Sequence, residues 1–168
     1  MREVVLIVHD IRSTHNVGSL LRTAECLGVN RLIFTGYTPY PELSGSVSDA
    51  RLPHIVRKLQ KDISKTALGA DKMIPWSYEK DITSVISSLR DEGYMILGLE
   101  QAEHSTPLHD YAPTHKIALI IGREVEGIAP ELLNLCDKIL EISQFGKKES
   151  LNVVQATAIA LYHLSLPS

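Results

Sequence analysis

The sequence predicts an open, mostly parallel α/β sheet with helices on both faces. Strand-like apolar runs alternate with segments of helical spacing from one end of the chain to the other, a pattern typical of parallel sheets. The first run, Val4–Val8, is apolar throughout, as expected of a strand buried on both faces. Three polar, glycine-containing islands each follow a β-like run, which is where open α/β sheets bind ligands.

The elements follow from local spacing. After Val4–Val8, strands are predicted at Arg31–Thr35, Lys72–Pro75, Tyr94–Leu99, Lys116–Ile121 and Lys138–Ile142. Helices are predicted at Gly18–Leu27, Pro53–Leu68, Ile82–Leu89, Pro130–Leu135 and Leu151–Leu164. Gly28 and Gly93 are natural helix stops. The last helix is apolar on nearly every side, which predicts that it is buried and, in so small a chain, that it forms a dimer interface.

Composition favours a single domain over residues 1–168. The chain is 44% hydrophobic and 22% charged, as in soluble globular proteins. It has no apolar run near the roughly 20 residues needed to span a bilayer, and its start lacks the features of a signal peptide. We therefore expect a cytoplasmic protein without membrane contact. Cys26 and Cys136 lie among apolar residues and lack metal-ligand spacing, so we expect reduced core thiols and no metal site.

Charge alone does not indicate a partner. The net charge of −3 weighs mildly against a nucleic-acid binder, but local distribution matters more than the sum. The stretch 51–65 holds five basic residues and one acidic residue, and Arg12/His15 and Lys147-Lys148 form two smaller basic spots. A solvated face explains each of them equally well.

The common nucleotide-binding loops are missing. After Val8 the chain does not contain the G-x-G-x-x-G fingerprint, and it has no Walker A loop, which argues against the standard dinucleotide and nucleoside-triphosphate sites. Gly122-x-Glu124-x-x-Gly127 is weak evidence by itself, but it directly follows the apolar run 118–121. That position makes a small-molecule cofactor site more plausible than a plain scaffold.

The three islands are Asn16–Ala24, Gly122–Gly127 and Ile142–Val153. Taken together, they resemble the motifs of the TrmH (SpoU) family of RNA ribose 2′-O-methyltransferases, of the SPOUT class. The family's Asn-x-Gly-x-x-x-Arg-[Ser/Thr]-Ala motif is matched by Asn16, Gly18, Arg22, Thr23 and Ala24. Its Gly-x-Glu-x-x-Gly motif is matched by Gly122, Glu124 and Gly127. Its Ile-Pro-Met-x-Gly-x-x-x-Ser-Leu-Asn-Val motif is matched by Ile142, Gly146, Ser150, Leu151, Asn152 and Val153, but Ser143-Gln144 replaces Pro-Met.

The resemblance implies a fold, a cofactor and partners. It implies a C-terminal trefoil knot, S-adenosylmethionine bound in the knotted loops, a homodimer, and tRNA or rRNA as the substrate, with an RNA site built from both subunits. It also implies that the usual N-terminal RNA-binding extension is absent. The loss of the motif's proline is expected to soften the last loop without abolishing the site.

Site roles are likewise implied residue by residue. The cofactor-binding candidates are Leu99, Gly122, Ile142, Ser150 and Leu151. The catalytic candidates are Arg22, Asn16, Glu124, Ser150 and Asn152. Arg22 is expected to project from the start of the first helix, anchor phosphate and stabilise an alkoxide, since a guanidinium stays protonated. Glu124 is expected to orient Asn16 or Arg22.

Each role has a simpler structural alternative. Arg22 could be a surface arginine paired with Glu25 or Glu124, and Ser150 could merely cap the last helix. The whole chain could also be a non-catalytic RNA-binding protein that kept the fold. A third possibility is a methyltransferase for a substrate other than RNA.

Overall fold

The computed structural model describes residues 2–43 and 49–166. Within them, seven strands form one sheet in the order β3-β2-β1-β6-β4-β7-β5, and every pairing is parallel. The strands are β1 (Glu3–His9), β2 (Arg31–Thr35), β3 (Trp76–Glu79), β4 (Met95–Leu99), β5 (Thr106–Pro107), β6 (Lys116–Ile121) and β7 (Lys138–Glu141). The predicted parallel α/β sheet is confirmed, while the threading of a knot stays a prediction.

Helices cover both faces of the sheet. On one face lie α1 (Thr14–Cys26), α2 (Pro53–Ala67) and α5 (Val153–Ser165). On the other lie α3 (Ile82–Asp91) and the short α4 (Pro130–Leu133). None of the helices in the described part of the chain is long and apolar enough to cross a membrane.

The central strand β1 supplies both cores because side chains alternate across a strand. Val4, Leu6 and Val8 pack beneath α1, α2 and α5, whereas Val5 and Ile7 pack against α3. All five are at most 1% exposed, which explains why this run is apolar at every position.

The order of the strands reverses beside β1, which lies between β2 and β6. β1 leads outward to β2 and β3, and the chain then crosses to β4 and β6 on the other side. Val8 pairs with Phe34 of β2 and with Ile121 of β6, so the carboxyl ends of these strands lie level with one another. Such a switch point leaves a crevice at the carboxyl edge of the sheet.

Two predicted boundaries were wrong in ways that matter. Helix α1 begins at Thr14, four residues before Gly18, because the Ser13 hydroxyl caps it by accepting from the Asn16 N–H at 3.2 Å. The segment 72–75 is not a strand. A short 3-10 turn covers Ala70–Lys72, and the strand follows at Trp76–Glu79. The two-residue strand β5 carries no periodic signal, and the sequence did not predict it.

The last helix is only partly buried. Thr157, Ala160, Leu161 and Leu164 face the core, whereas Ile159, Tyr162 and Leu166 are exposed. The expectation of burial on every side is therefore wrong within one chain, since a helix packed on a sheet buries only the face towards it. Cys26 is exposed and Cys136 is partly buried, so Cys26 is not the core thiol that the sequence suggested.

Candidate active site

A cavity of about 180 Å³ opens at the carboxyl ends of β4, β6 and β7. We call it the motif pocket. All five residues predicted to bind a cofactor line it, namely Leu99, Gly122, Ile142, Ser150 and Leu151. They come from three separate strand ends and from the loop before α5, so the fold brings together positions that are far apart in the sequence.

The loop after β6 forms one wall of the motif pocket and is tightly closed. Arg123 and Gly127 exchange backbone hydrogen bonds of 3.2 and 3.1 Å, which folds the loop into a hairpin. A Cβ on Gly122 would lie 2.7 Å from the backbone of Gly127 and Ile128. Only glycine lets the two arms approach this closely, which is the physical reason for the first glycine of the motif.

Glu100, the residue directly after β4, holds the loop after β6 in place through hydrogen bonds. Its carboxylate accepts from the Ile128 N–H at 2.9 Å and from the Gln101 N–H at 2.9 Å. It also lies directly against Gly127, which has φ +69, so a side chain at Gly127 is excluded by both space and backbone conformation. Sequence analysis missed Glu100; its position directly after the predicted wall residue Leu99 was the available signal.

Glu124 joins the rim of the motif pocket to helix α1. The Asn16 Nδ2 donates to Glu124 Oε1 at 3.1 Å, and the Ser13 N–H lies 3.4 Å from the same oxygen. This is the contact expected if Glu124 orients Asn16. Because Ser13 caps α1 and Asn16 lies in its first turn, the carboxylate also complements the positive end of the helix.

Arg22 does not lie at the motif pocket. It is the ninth residue of α1, about 12 Å along the helix axis from Thr14, so it does not project from the helix start as expected. It is exposed and lines a different groove, formed with Lys65 of α2 and Ala158 of α5. Among residues 2–43 and 49–166 it has no hydrogen-bond or ion-pair partner, so the suggested pairing with Glu25 or Glu124 is not seen.

The loop after β7 forms the opposite wall and is open. Ser150 and Leu151 line the motif pocket, but every residue from 145 to 152 is exposed. The Asn152 side chain caps α5 by accepting from the Val154 N–H at 2.8 Å. The alternative that Ser150 caps this helix is therefore wrong, and Asn152 serves the helix start without lining the motif pocket.

His9, at the end of β1, is mostly but not fully buried, with a side chain that is 15% exposed. Its Nδ1 lies 2.9 Å from the Thr35 hydroxyl, and its Nε2 lies 3.3 Å from Asp10. Burial is the main cause that lowers the His9 pKa; nearby Arg123 lowers it further, and Asp10 partly offsets both. The imidazole is therefore neutral at neutral pH. No cluster of three potential metal-ligating His, Cys, Asp or Glu side chains occurs in the part of the chain that the structure describes.

The fold and the motif pocket define an open α/β protein with a candidate ligand site at the carboxyl edge of a parallel sheet. Within that class, the chain belongs to the SpoU rRNA Methylase family, whose model matches residues 45–162. This confirms the resemblance drawn from the three motifs.

Individual relatives agree with that assignment. The chain is 30% identical over 160 residues to a Staphylococcus saprophyticus protein assigned to the TrmH family of tRNA/rRNA methyltransferases. That comparison covers 95% of this chain and 57% of the relative, so the chain spans little more than half of the relative's length.

Solved structures share the fold. An AdoMet-bound rRNA methyltransferase from Sinorhizobium meliloti superposes with a TM-score of 0.78 at 21% identity, over 96% of this chain and 55% of that one. An RNA 2′-O ribose methyltransferase superposes with a TM-score of 0.76 at 16% identity, over 96% of this chain and 55% of that one.

Proposed function

We propose that this chain transfers a methyl group from S-adenosylmethionine to a ribose 2′-hydroxyl of tRNA or rRNA. One observation carries the proposal: the five residues predicted to bind the cofactor converge on a single pocket, and the Asn16–Glu124 pair stands at its rim. Family membership supports methyl transfer to RNA. The fold shared with a 2′-O ribose methyltransferase supports the ribose hydroxyl as the acceptor.

Leu99, Ile142 and Leu151 would supply apolar walls for the cofactor, and the closed loop after Gly122 would supply backbone groups. When bound, S-adenosylmethionine supplies a methyl group on a positively charged sulfur. Much of the protein's task is then to hold the hydroxyl in line and to exclude water, because orientation alone is worth several kcal/mol. The motif pocket has one wall that is closed by internal hydrogen bonds and one wall that is exposed.

A ribose hydroxyl is a poor nucleophile, so a polar or charged group must favour its alkoxide. Asn16 can contribute its amide, and its orientation is fixed by Glu124. Arg22 would contribute a positive charge to the phosphate or the alkoxide. Its distance from the motif pocket of its own chain leads us to propose that it acts at the pocket of a partner subunit.

We propose a homodimer on the same grounds. The exposed residues Ile159 and Tyr162 of α5, with Leu166 directly after the helix, form an apolar face that is not covered within one chain. Arg22 lies close to this helix, since its groove includes Ala158. Sedimentation at micromolar concentration is expected to give twice the 18.6 kDa mass; a single 18.6 kDa species would rule the dimer out.

Calorimetry with S-adenosylmethionine and transfer of labelled methyl to unmodified total tRNA and rRNA test the proposal together. We expect saturable cofactor binding and a product that ribonuclease releases. Cofactor binding without transfer to any RNA would favour a methyltransferase for another substrate. RNA binding without cofactor uptake would favour a non-catalytic RNA-binding protein.

A further inference from the structure

A second cleft, of about 510 Å³, lies beside the carboxyl ends of β1, β2 and β3, and none of the predicted site residues line it. We call it the tyrosine cleft because Tyr37, Tyr40 and Tyr78 line it, together with Arg12 and Arg51. It is built mainly from the loop after β2, which the sequence marks only as rich in Gly, Pro and Ser.

The floor of the tyrosine cleft is a fixed aromatic stack. The rings of Tyr40 and Tyr78 lie 4.2 Å apart and nearly parallel, and the Arg51 guanidinium lies 3.7 Å from the centre of the Tyr40 ring. Arg51 is held by Asp49 at 2.6 Å and by the carbonyls of Tyr40 and Pro41 at 2.7 and 2.8 Å. Four of its five N–H donors are thus used within the protein, so Arg51 mainly builds the floor of the cleft.

The rim differs because its aromatic ring is free. The Tyr37 side chain is 79% exposed, and its ring stacks on no other aromatic ring in the described residues. Its backbone is nevertheless fixed, since the Tyr37 N–H donates to Asp10 at 2.8 Å and the Tyr78 hydroxyl donates to the Gly36 carbonyl at 3.0 Å. Such an exposed ring contributes little to the stability of the fold, whereas a planar ligand could stack on it.

Arg12, which lines the same cleft as Tyr37, adds an available positive charge. It is exposed, and it makes no hydrogen bond or ion pair with any residue in 2–43 or 49–166. Its backbone is nonetheless restrained, because the neighbouring Ile11 N–H donates to the buried Thr38 hydroxyl at 3.2 Å. The hydroxyl of Thr38 in turn donates to the Val8 carbonyl at 3.0 Å, which ties the cleft to β1.

We propose that the tyrosine cleft binds a nucleotide of single-stranded RNA next to the one that is methylated, with its base stacked on Tyr37 and a phosphate on Arg12. This rests on the proposed function. An aromatic face beside an unpaired guanidinium is the combination that single-stranded nucleic acid uses, because every base has a π-face and every linkage has a charge. A guanidinium fork also matches phosphate oxygens.

The position of the tyrosine cleft relative to the motif pocket also supports single-stranded RNA as the ligand. The tyrosine cleft and the motif pocket lie on one edge of the sheet, two to three strand spacings apart, which is about 10–15 Å. The segment 12–16 connects them, since Arg12 lines the cleft while Asn16 bonds Glu124 at the rim of the motif pocket. One short RNA segment can therefore reach both, which suits a site that positions the substrate strand.

The test uses a fluorescein-labelled ten-nucleotide oligoriboadenylate and an abasic ribose-phosphate strand of equal length. Tyr37→Ala is expected to weaken oligoriboadenylate binding roughly 5- to 100-fold, the range for losing one stacked base. Tyr37→Phe keeps the ring and should bind as the wild type does. Arg12→Ala is expected to weaken both strands and to lower the salt dependence by about one phosphate contact.

Two controls make the result specific. Met73→Ala removes a side chain that is 66% exposed just before β3, at the opposite edge of the sheet, and should change nothing. The abasic strand should bind Tyr37→Ala and wild type equally. Equal oligoriboadenylate affinity of Tyr37→Ala and wild type, or no binding by the wild type at millimolar strand, would overturn the proposal.

The outcomes also separate this inference from the proposed function. Stacking on Tyr37 without methyl transfer to any RNA would retain the cleft as an RNA site and reject the enzyme. Methyl transfer that proceeds in Tyr37→Ala with wild-type KM and kcat would retain the enzyme and reject the cleft as an RNA site. A higher KM with an unchanged kcat is the expected pattern, because the cleft positions the strand and does not touch the reacting atoms.

Discussion

The two loops that wall the motif pocket are held in opposite ways. The loop after β6 is closed by the Arg123–Gly127 hydrogen bonds, fastened below by Glu100 and tied to α1 through Glu124. The loop after β7 has an exposed run from 145 to 152, and Phe145 is 97% exposed. Its described side-chain contacts are the surface pair Lys148–Glu149 and the Asn152 cap.

The difference indicates that the two loops have different roles in binding. A wall that is complete before the ligand arrives needs no ordering upon binding, so it can set the position of the cofactor. A wall with few internal contacts has low local stability and must gain contacts from a ligand or a partner subunit. The glycines of the two loops allow this comparison to be tested directly.

The largest effect on cofactor affinity is expected from Gly122→Ala. The new methyl group would lie 2.7 Å from backbone atoms of Gly127 and Ile128, which no side-chain rotation can relieve, so the closed wall must open. We expect S-adenosylmethionine affinity to fall by about 100-fold in calorimetry. Gly146→Ala in the open loop is the matched control, since its Cβ would meet nothing within 4 Å. Equal losses of cofactor affinity in both variants would show that the closed and the open loop do not differ in this way.

Arg22→Ala is expected to affect methyl transfer without affecting cofactor binding. Arg22 lies outside both loops, so we expect cofactor affinity to stay unchanged while single-turnover methyl transfer to RNA falls by at least about 100-fold. The variant should remain folded and dimeric because the side chain is exposed. If transfer proceeds at near wild-type rates, Arg22 has a structural role and the catalytic assignment moves to Asn16 or Ser150.

Glu100→Ala should loosen the closed wall without breaking it. The Ile128 N–H would lose its partner, and an unpaired buried donor costs about 1–3 kcal/mol. We expect about a tenfold weaker cofactor affinity, given that 1.4 kcal/mol corresponds to a factor of ten. Glu100→Gln keeps an acceptor oxygen and should lose less than about threefold. A Gln variant as weak as the Ala variant would point to the charge and not to the hydrogen bond.

The smallest effect concerns the open wall. Ser143→Pro restores the proline of the family motif and should restrict the loop before binding, which is typically worth about 0.4–1 kcal/mol. We expect cofactor affinity to rise two- to fivefold, with an unchanged melting temperature of the free protein. Weaker binding would show that the backbone at Ser143 adopts a conformation that proline cannot.

Sequence analysis predicted residues that share the motif pocket more accurately than it predicted the position of Arg22. Leu99, Gly122 and Ile142 lie at the ends of parallel strands, which share one edge of the sheet, and Ser150 and Leu151 lie on the loop from β7 to α5 that returns to the same pocket. Arg22 was misplaced for a local reason: the helix was predicted to begin at Gly18, whereas Ser13 caps it at Thr14. A helix start that is wrong by four residues corresponds to more than one helical turn. The true start places the Arg22 side chain further from the carboxyl edge of the sheet than predicted.

Three features have contacts that the sequence could not predict. Glu100 fastens a loop that lies 28 residues further along the chain, and a single carboxylate after a strand does not indicate its partner. The tyrosine cleft joins Arg12 to Tyr37 and Tyr78, which come from three different strand ends. The burial of His9 depends on what packs beside β1, and composition cannot show this.

The sequence by itself determined the class of fold, the alternation of strands and helices, and the family, since these depend on periodicity and on motifs that are local in the chain. Only the tertiary structure decided which strand ends are neighbours, which loop is closed and which is open, and that Arg22 lies away from the motif pocket of its own chain. The reason is physical: hydrophobic periodicity reports which face of an element is buried, whereas a site depends on the distances between elements, and the order of the strands in the sheet sets those distances.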